Sequence, residues 1–312
     1  MTGTSAAHPA TPDPDAALVS ADWTAVETFL QCGRRFASRW LEQAPEAFEP
    51  VDTVLDGAVR DTIAWFVASS RGDLVPAESA IGEEFRRRWA ARLTPAVRVV
   101  RAGDRVEAFA HRGELMVRRL VTAWPPAPGL HIDAIDRSFR LRLRGTYDLT
   151  VRADLVGHDG AGALHVFEFD TGTRPATRPS PAVIDRLDVA GLAILLARKL
   201  ESIRLTRLRL TDAHRDERRL TRFDGARLVS VLADSVAAMH AASGHAPAAS
   251  VACAWCGFRE QCEASGLGGR FVALPELGAC TRCGNGLGLR KGRLGVFITC
   301  ARYPECRCTK DL

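Results

Sequence analysis

The chain has 312 residues and a formal net charge of +5, longer than a typical domain of roughly 100–200 residues, so one large domain with a small appendage is expected. From residue 270 onward eight basic residues stand against three acidic ones, while the preceding residues balance to zero, which points to a polyanion-binding tail. A run of about 18 apolar residues is missing and so is a basic-then-apolar leader, which argues against membrane insertion and secretion and for a cytoplasmic protein.

Residues 1–19, rich in Pro, Ala, Thr and Asp without periodicity, read as a disordered leader. With Ser20 as cap, the apolar spacing of Trp23, Val26, Phe29, Leu30, Phe36 and Trp40 predicts an amphipathic helix over 22–41 that carries Cys32. Further helical patterns cover 51–70, 78–92 and 104–122. The texture then changes to alternation over 131–143 and 147–156 and a short apolar run over 163–170, which reads as a three-stranded meander. After a Pro-rich loop at 174–181, residues 182–200 read as helix, 202–210 as strand and 224–242 as helix. The expected fold is an α/β core with an N-terminal helical layer.

Nine cysteines with CxxC spacing in an unsecreted chain indicate metal before disulfides. Cys253-x2-Cys256-x5-Cys262 follows the last helix, and Cys32 is the cysteine outside the tail left to complete four ligands, for an iron–sulfur cluster or zinc. Cys32 as an ordinary buried thiol, with zinc on the other three, is the alternative. A bond through Cys32 would close a loop worth about 5 kcal/mol of chain entropy, a staple between the two ends of the domain.

The segment Ser20-Ala-Asp-Trp-Thr-Ala-Val-Glu-Thr-Phe-Leu-Gln-Cys32-Gly-Arg-Arg-Phe36, with the late cysteine triplet, resembles the iron–sulfur nucleases of the PD-(D/E)XK superfamily, RecB/AddB-like group, over about residues 20–265. Gly33 stands where that group usually has proline. The resemblance implies a restriction-endonuclease-like core, a mixed sheet flanked by helices, over 20–268 and a [4Fe-4S] cluster on Cys32, Cys253, Cys256 and Cys262.

The nucleases of this class also share a G-x3-H helix, a G-x2-D strand, a (D/E)-x-K strand and a helix that starts near Gln-Leu. On this chain Gly57-x3-Asp61 fits the first with Asp for His, Gly145-x2-Asp148 fits the second, and Glu168-x-Asp170 fits the third with Asp at the lysine position. Arg186-Leu187 fits the last with Arg for Gln. Asp61, Asp148 and Glu168 offer the oxygen ligands that Mg²⁺ prefers, but the lysine is gone. The chain holds three lysines, Lys199, Lys291 and Lys310, and Lys199 would lie about 20 Å along its helix from Arg186. Arginine stays protonated, so Arg186, or Arg186 paired with Asp170, can stabilise a phosphate but cannot act as a base.

The last cysteines, Cys280-x2-Cys283 and Cys300-x5-Cys306, flank a Gly-rich basic hairpin with the spacing of a structural zinc site over 269–312. Cys308 competes with Cys306 as fourth ligand. The segment looks like the four-cysteine ribbons of bacterial type I topoisomerases, with Gly-x-Phe before the third cysteine and Tyr-Pro-x-Cys at the fourth, and the resemblance favours Cys306 and implies single-stranded DNA as ligand. Arg290, Lys291 and Arg293 are placed to meet phosphates, and Phe297 and Tyr303 offer faces for bases, unless Phe297 only fills the ribbon's core. Three functions follow as expectations. The first is a DNA-processing or repair factor, working with a helicase or repair partner, whose nuclease centre is degenerate. The second is an active Mg²⁺-dependent DNA nuclease with a rewired cation, and the third a protein-binding adaptor that uses the ribbon.

Overall fold

The computed structural model describes residues 19–70, 74–101, 103–127, 129–172, 184–262, 271–292 and 295–310. Residues 1–18 of the leader expected over 1–19, the Pro-rich loop and Arg293 therefore lie outside the described residues, and Val19, the last residue of that expected leader, is in a strand. The chain enters as strand β1 (Val19–Asp22), so Ser20 is a strand residue and not a helix cap. The cap is Asp22, whose carboxylate accepts from Thr24 N at 2.7 Å, a standard way of satisfying a free amide at a helix start.

Helix α1 (Trp23–Gln31) is shorter than its apolar pattern. Cys32 takes an extended conformation, φ −163° and ψ 110°, and breaks the predicted helix into α1, α2 (Gly33–Phe36) and a wide turn over Ala37–Leu41. A two-residue parallel pair, β2 (Glu49–Pro50) and β3 (Val97–Arg98), borders the helical layer of α3 (Val51–Ser69), α4 (Glu78–Arg92) and α5 (Val106–Thr122).

The expected meander follows as β4 (His131–Leu143), β5 (Tyr147–His158) and β6 (Leu164–Asp170). Helix α6 (Arg186–Ala197) starts where Asp185 caps Leu187 N at 3.1 Å and stops before Lys199, at φ +53°. Strand β7 (Ser202–Arg209) leads into β8 (His214–Thr221), which sequence reading missed because seven of its eight side chains are polar and only Leu220 is buried. Helix α7 (Arg222–Ala241) then opens on a Thr221–Asp224 capping box.

The sheet is mixed and forks at β5. One edge of β5 pairs with β4 along its length. The other edge pairs with β1 over Tyr147–Thr150 and with β6 over Leu155–His158. Beyond β6, β7 runs parallel and β8 antiparallel. Each face has its own apolar core. Val166, Ile203 and Leu205 pack with residues of α1, α6 and α7, and Leu155, Phe167 and Phe169 pack with α3, α4 and α5. This is the mixed sheet flanked by helices expected for a restriction-endonuclease-like core.

The tail forms a separate antiparallel sheet of β9 (Val272–Ala273), β10 (Leu287–Gly292), β11 (Gly295–Cys300) and β12 (Thr309–Lys310). Among the described residues no helix is long and apolar enough to cross a membrane.

The helical layer depends on one close approach. A Cβ on Gly113 of α5 would fall 2.1 Å from Cζ of the buried Phe85 ring and 2.7 Å from Leu55. Gly113→Ala is therefore expected to destabilise the chain by about 1–3 kcal/mol through overpacking, despite alanine's better helix propensity. Urea unfolding monitored by far-UV circular dichroism measures it, and an unchanged or raised midpoint would contradict the packing described.

Candidate nuclease-like centre and metal sites

The β5–β6 ladder ends at Leu155–Phe167. At the next position Asp154 replaces a backbone acceptor with a side chain, its Oδ2 taking the amide of Phe169 at 3.0 Å. Glu168 lies opposite on β6, and the parallel register puts Arg207 of β7 beside Glu168. Arg186 enters from the first turn of α6, and Arg60 comes from α3 across the end of the sheet. Glu168, Arg186, Arg207 and Arg60, with Glu27, Asp56, Asp170 and Asp185, surround an open cavity of about 230 Å³, and Asp154 lies behind it, paired with Arg186 and Arg60.

Every oxygen of the two central carboxylates has an arginine partner. Arg186 meets Asp154 as a two-pronged fork, Nη1 to Oδ1 and Nη2 to Oδ2 both at 2.9 Å. The same guanidinium donates to Glu168 Oε1 from Nη2 at 2.8 Å and from Nε at 3.0 Å. Arg207 Nε holds Glu168 Oε2 at 2.8 Å. Arg60 also pairs with Asp154, donates from Nη2 to the Phe169 carbonyl at 2.8 Å, and reaches Asp56 at 2.9 Å. The pairing runs on through Asp185, which meets Arg207 and Arg218, to Asp188.

Burial shapes the charges here. It would raise the Asp154 carboxyl, but the guanidinium groups of Arg60 and Arg186 and the Phe169 amide more than reverse this and hold it at about 2. Burial would likewise lower Arg60 and Arg186, and the facing carboxylates push both above the ordinary arginine value. Asp154, Arg60 and Arg186 thus hold one another in their charged forms.

Of the sequence-predicted residues, the structure brings Glu168, Asp170 and Arg186 to this cavity. Asp170 accepts from Gly172 N at 2.8 Å. Two predicted residues are not at the centre. Asp148 lies six residues from Asp154 on the same strand, about 20 Å away, beside Ser20 of β1, and pairs with Arg140. Asp61 turns towards α4, where Arg92 Nε donates to it at 3.2 Å. The centre instead holds Asp154 and Arg60, the latter one helix position before Asp61.

Sequence reasoning missed both Asp154 and Arg60, although hairpin arithmetic could have found the first. The turn at Asp159-Gly160-Ala161-Gly162, with Gly162 at φ +79°, sets 155 against 167 and so 154 against 168. Arg207 and Asp185 carried no such signal, because their roles depend on the β6–β7 crossover register.

The tail cysteines converge. The sulfurs of Cys280, Cys283, Cys300 and Cys306 all lie within 4.8 Å of one another, with Cys280–Cys306 at 3.7 Å. A four-coordinate ion with bonds of about 2.3 Å sets its sulfurs roughly 3.8 Å apart, so the donor set fits one ion. The backbone amide of Arg282 foremost lowers Cys280 to about 6, towards the thiolate that a metal takes. Cys308 is not in that group. Its carbonyl instead accepts from Cys300 N at 3.1 Å.

Cys32, Cys253, Cys256 and Cys262 line one small cavity between α2 and the segment after α7. Cys32 Sγ accepts from the amides of Arg35 at 3.5 Å and Ala248 at 3.4 Å, and Cys253 Sγ from Ser250 at 3.4 Å. Burial foremost, with the neighbouring thiolates, pushes Cys253 up to about 11. Four cysteines lining one space, with amide donors to the sulfurs of Cys32 and Cys253, are the residue type that holds a thiolate-bound metal group. A cleft of about 520 Å³ reaches from near this site to the centre, and the two cavities share Glu27 and Asp56.

A forked mixed sheet with paired carboxylates at the fork defines a nuclease-like core. Residues 23–263 match the PD-(D/E)XK nuclease superfamily, and the chain belongs to it. Among solved structures, one titled "Crystal structure of SSO0001" is similar at 14% identity, covering 68% of this chain and 97% of that one, with a TM-score of 0.31. A search of curated proteins finds no match.

Asp154 gives this centre a pH signature. Its folded value is depressed, so its contribution is full above about pH 4 and is lost as pH falls towards 2. Asp154→Asn, which strands Arg60 and Arg186, should cost about 3–5 kcal/mol at pH 7. It should also remove about 1 kcal/mol of the stability difference between pH 7 and pH 3. Urea titrations at both pH values test this, and an unchanged pH difference would contradict the assigned charge state.

Proposed function

We propose that this chain is a DNA-binding member of the superfamily, acting in DNA processing or repair, whose nuclease centre is degenerate. Saturation carries the reading: all four oxygens of Asp154 and Glu168 are taken by Arg60, Arg186 and Arg207. Hydrolysis of a phosphodiester in this superfamily draws on a divalent ion, and such an ion needs those oxygens. Asp170 stands where the motif has its lysine, and no arginine of the centre can give or take a proton near neutral pH.

DNA affinity is then assigned to the ribbon, whose four cysteines hold zinc. Arg290 is 5.7 Å from the Phe271 ring and 5.9 Å from the Tyr303 ring, Phe297 meets Tyr303 edge-on at 5.8 Å, and Lys291 is exposed. Arginine layered on aromatic rings beside further basic residues suits single-stranded DNA, with phosphates on the cations and bases on the faces. Arg293 lies outside the described residues.

At the first cysteine set we propose the [4Fe-4S] cluster, as in the RecB/AddB-like group. Arg60, Arg186 and Arg207 do the holding at the centre, fixing the carboxylates and the fork of the sheet.

Metal-replete protein should bind labelled single-stranded DNA with an affinity that falls steeply with salt. Tyr303→Ala should weaken binding about tenfold, the loss of one stacked base. No cleavage should occur with Mg²⁺ or Mn²⁺. Cleavage that Glu168→Ala abolishes would establish an active nuclease instead, and salt-insensitive or absent DNA binding would favour a protein-binding adaptor.

A further inference from the structure

The two cysteine sets meet at one layer of side chains. A single buried cluster joins Phe48 and Trp255 of the nuclease-like domain to Leu274, Leu289, Ile298 and Cys300 of the ribbon. Cys253, from the first set, and Cys283, from the second, both pack against it. Trp255 lies in the chain between Cys253 and Cys256, two of the first set. Its indole Nε1 donates to Asp52 Oδ2 at 2.9 Å, in the first turn of α3, the helix that carries Asp56 and Arg60 to the centre.

The segment around Trp255 has little room to move. A Cβ on Gly257 would fall 2.4 Å from Glu46 Oε2 and 2.9 Å from the Phe48 carbonyl, and Ala47 N donates to Gly257 O at 2.9 Å. Arg259 lies over the Phe48 ring at 4.2 Å and donates to the Ala254 carbonyl at 2.6 Å. A ribbon of some 40 residues buries too little to be stable alone, and here four of the twelve buried residues of its core, Phe48, Val100, Ala254 and Trp255, come from the larger domain.

We propose that the two cysteine centres are mechanically coupled through Trp255. The ribbon keeps its metal only while the first centre holds the Trp255 segment in place, and metal in the ribbon in turn protects the first centre. Coupling of this kind is reciprocal by necessity. The proposal rests on the reading of both cysteine sets as metal-holding.

The test uses the full-length, metal-loaded chain, with zinc and iron content measured first and zinc release to a chromophoric chelator then followed. Trp255→Ala should speed release about tenfold, whereas Trp255→Phe, which keeps a ring in the shared core, should stay within about threefold of the unaltered chain. Cys32→Ser alters the first centre from outside the shared cluster and should also speed release by about fivefold or more. In the reverse direction, Cys283→Ser should make Cys253 and Cys256 more reactive to an alkylating reagent, read by mass spectrometry. If Trp255→Ala does not fold, the Cys32→Ser and Cys283→Ser arms decide. Unchanged zinc release from folded Cys32→Ser protein, with unchanged alkylation in Cys283→Ser, overturns the coupling. An unaltered chain that takes up no zinc overturns the metal reading, and the coupling with it.

Discussion

Arg186 sits between two carboxylates that would otherwise face a cation, and much of the centre is arranged around that placement. Its fork takes both oxygens of Asp154 and one of Glu168, so the guanidinium occupies the space where this fold presents its acidic side chains. A buried arrangement of this kind gains little net stability, since desolvating the charges offsets most of their attraction. It does impose order: β5, β6, α3 and α6 must keep one geometry for the charges to be matched. The depressed carboxyl of Asp154 and the raised guanidinium groups are expressions of the same matching.

The elements that were legible in the sequence are those whose pattern is local. The helices over Val51–Ser69 and Glu78–Arg92 and the strand over His131–Leu143 follow from periodicity. The break at Cys32 was hidden, because the apolar spacing continues through it while the backbone turns to aim a thiol at the shared cavity. Strand β8 was hidden as well, because its side chains are charged and its reason to exist is the ladder to β7.

The centre was legible in part. Glu168 and Arg186 were read from short motifs, and both line the cavity. Asp148 matched a motif better than Asp154 did, yet register decides which carboxylate meets Glu168, and register is a property of the Asp159–Gly162 turn. Asp61 and Arg60 differ by one helix position, about 100° of rotation, which no motif at the sequence level resolves. The pairing of Glu168 with Arg207 is longer-range still, set by a parallel crossover.

Whether arginine has displaced the divalent ion is the central question, and it is open to direct measurement apart from any activity. Mn²⁺ titration followed by electron paramagnetic resonance compares the unaltered chain with Asp154→Asn/Glu168→Gln protein. The arrangement described here predicts the same Mn²⁺ uptake in both. A bound Mn²⁺ in the unaltered chain that disappears in the double variant would show that the carboxylates still serve a metal and would contradict this account.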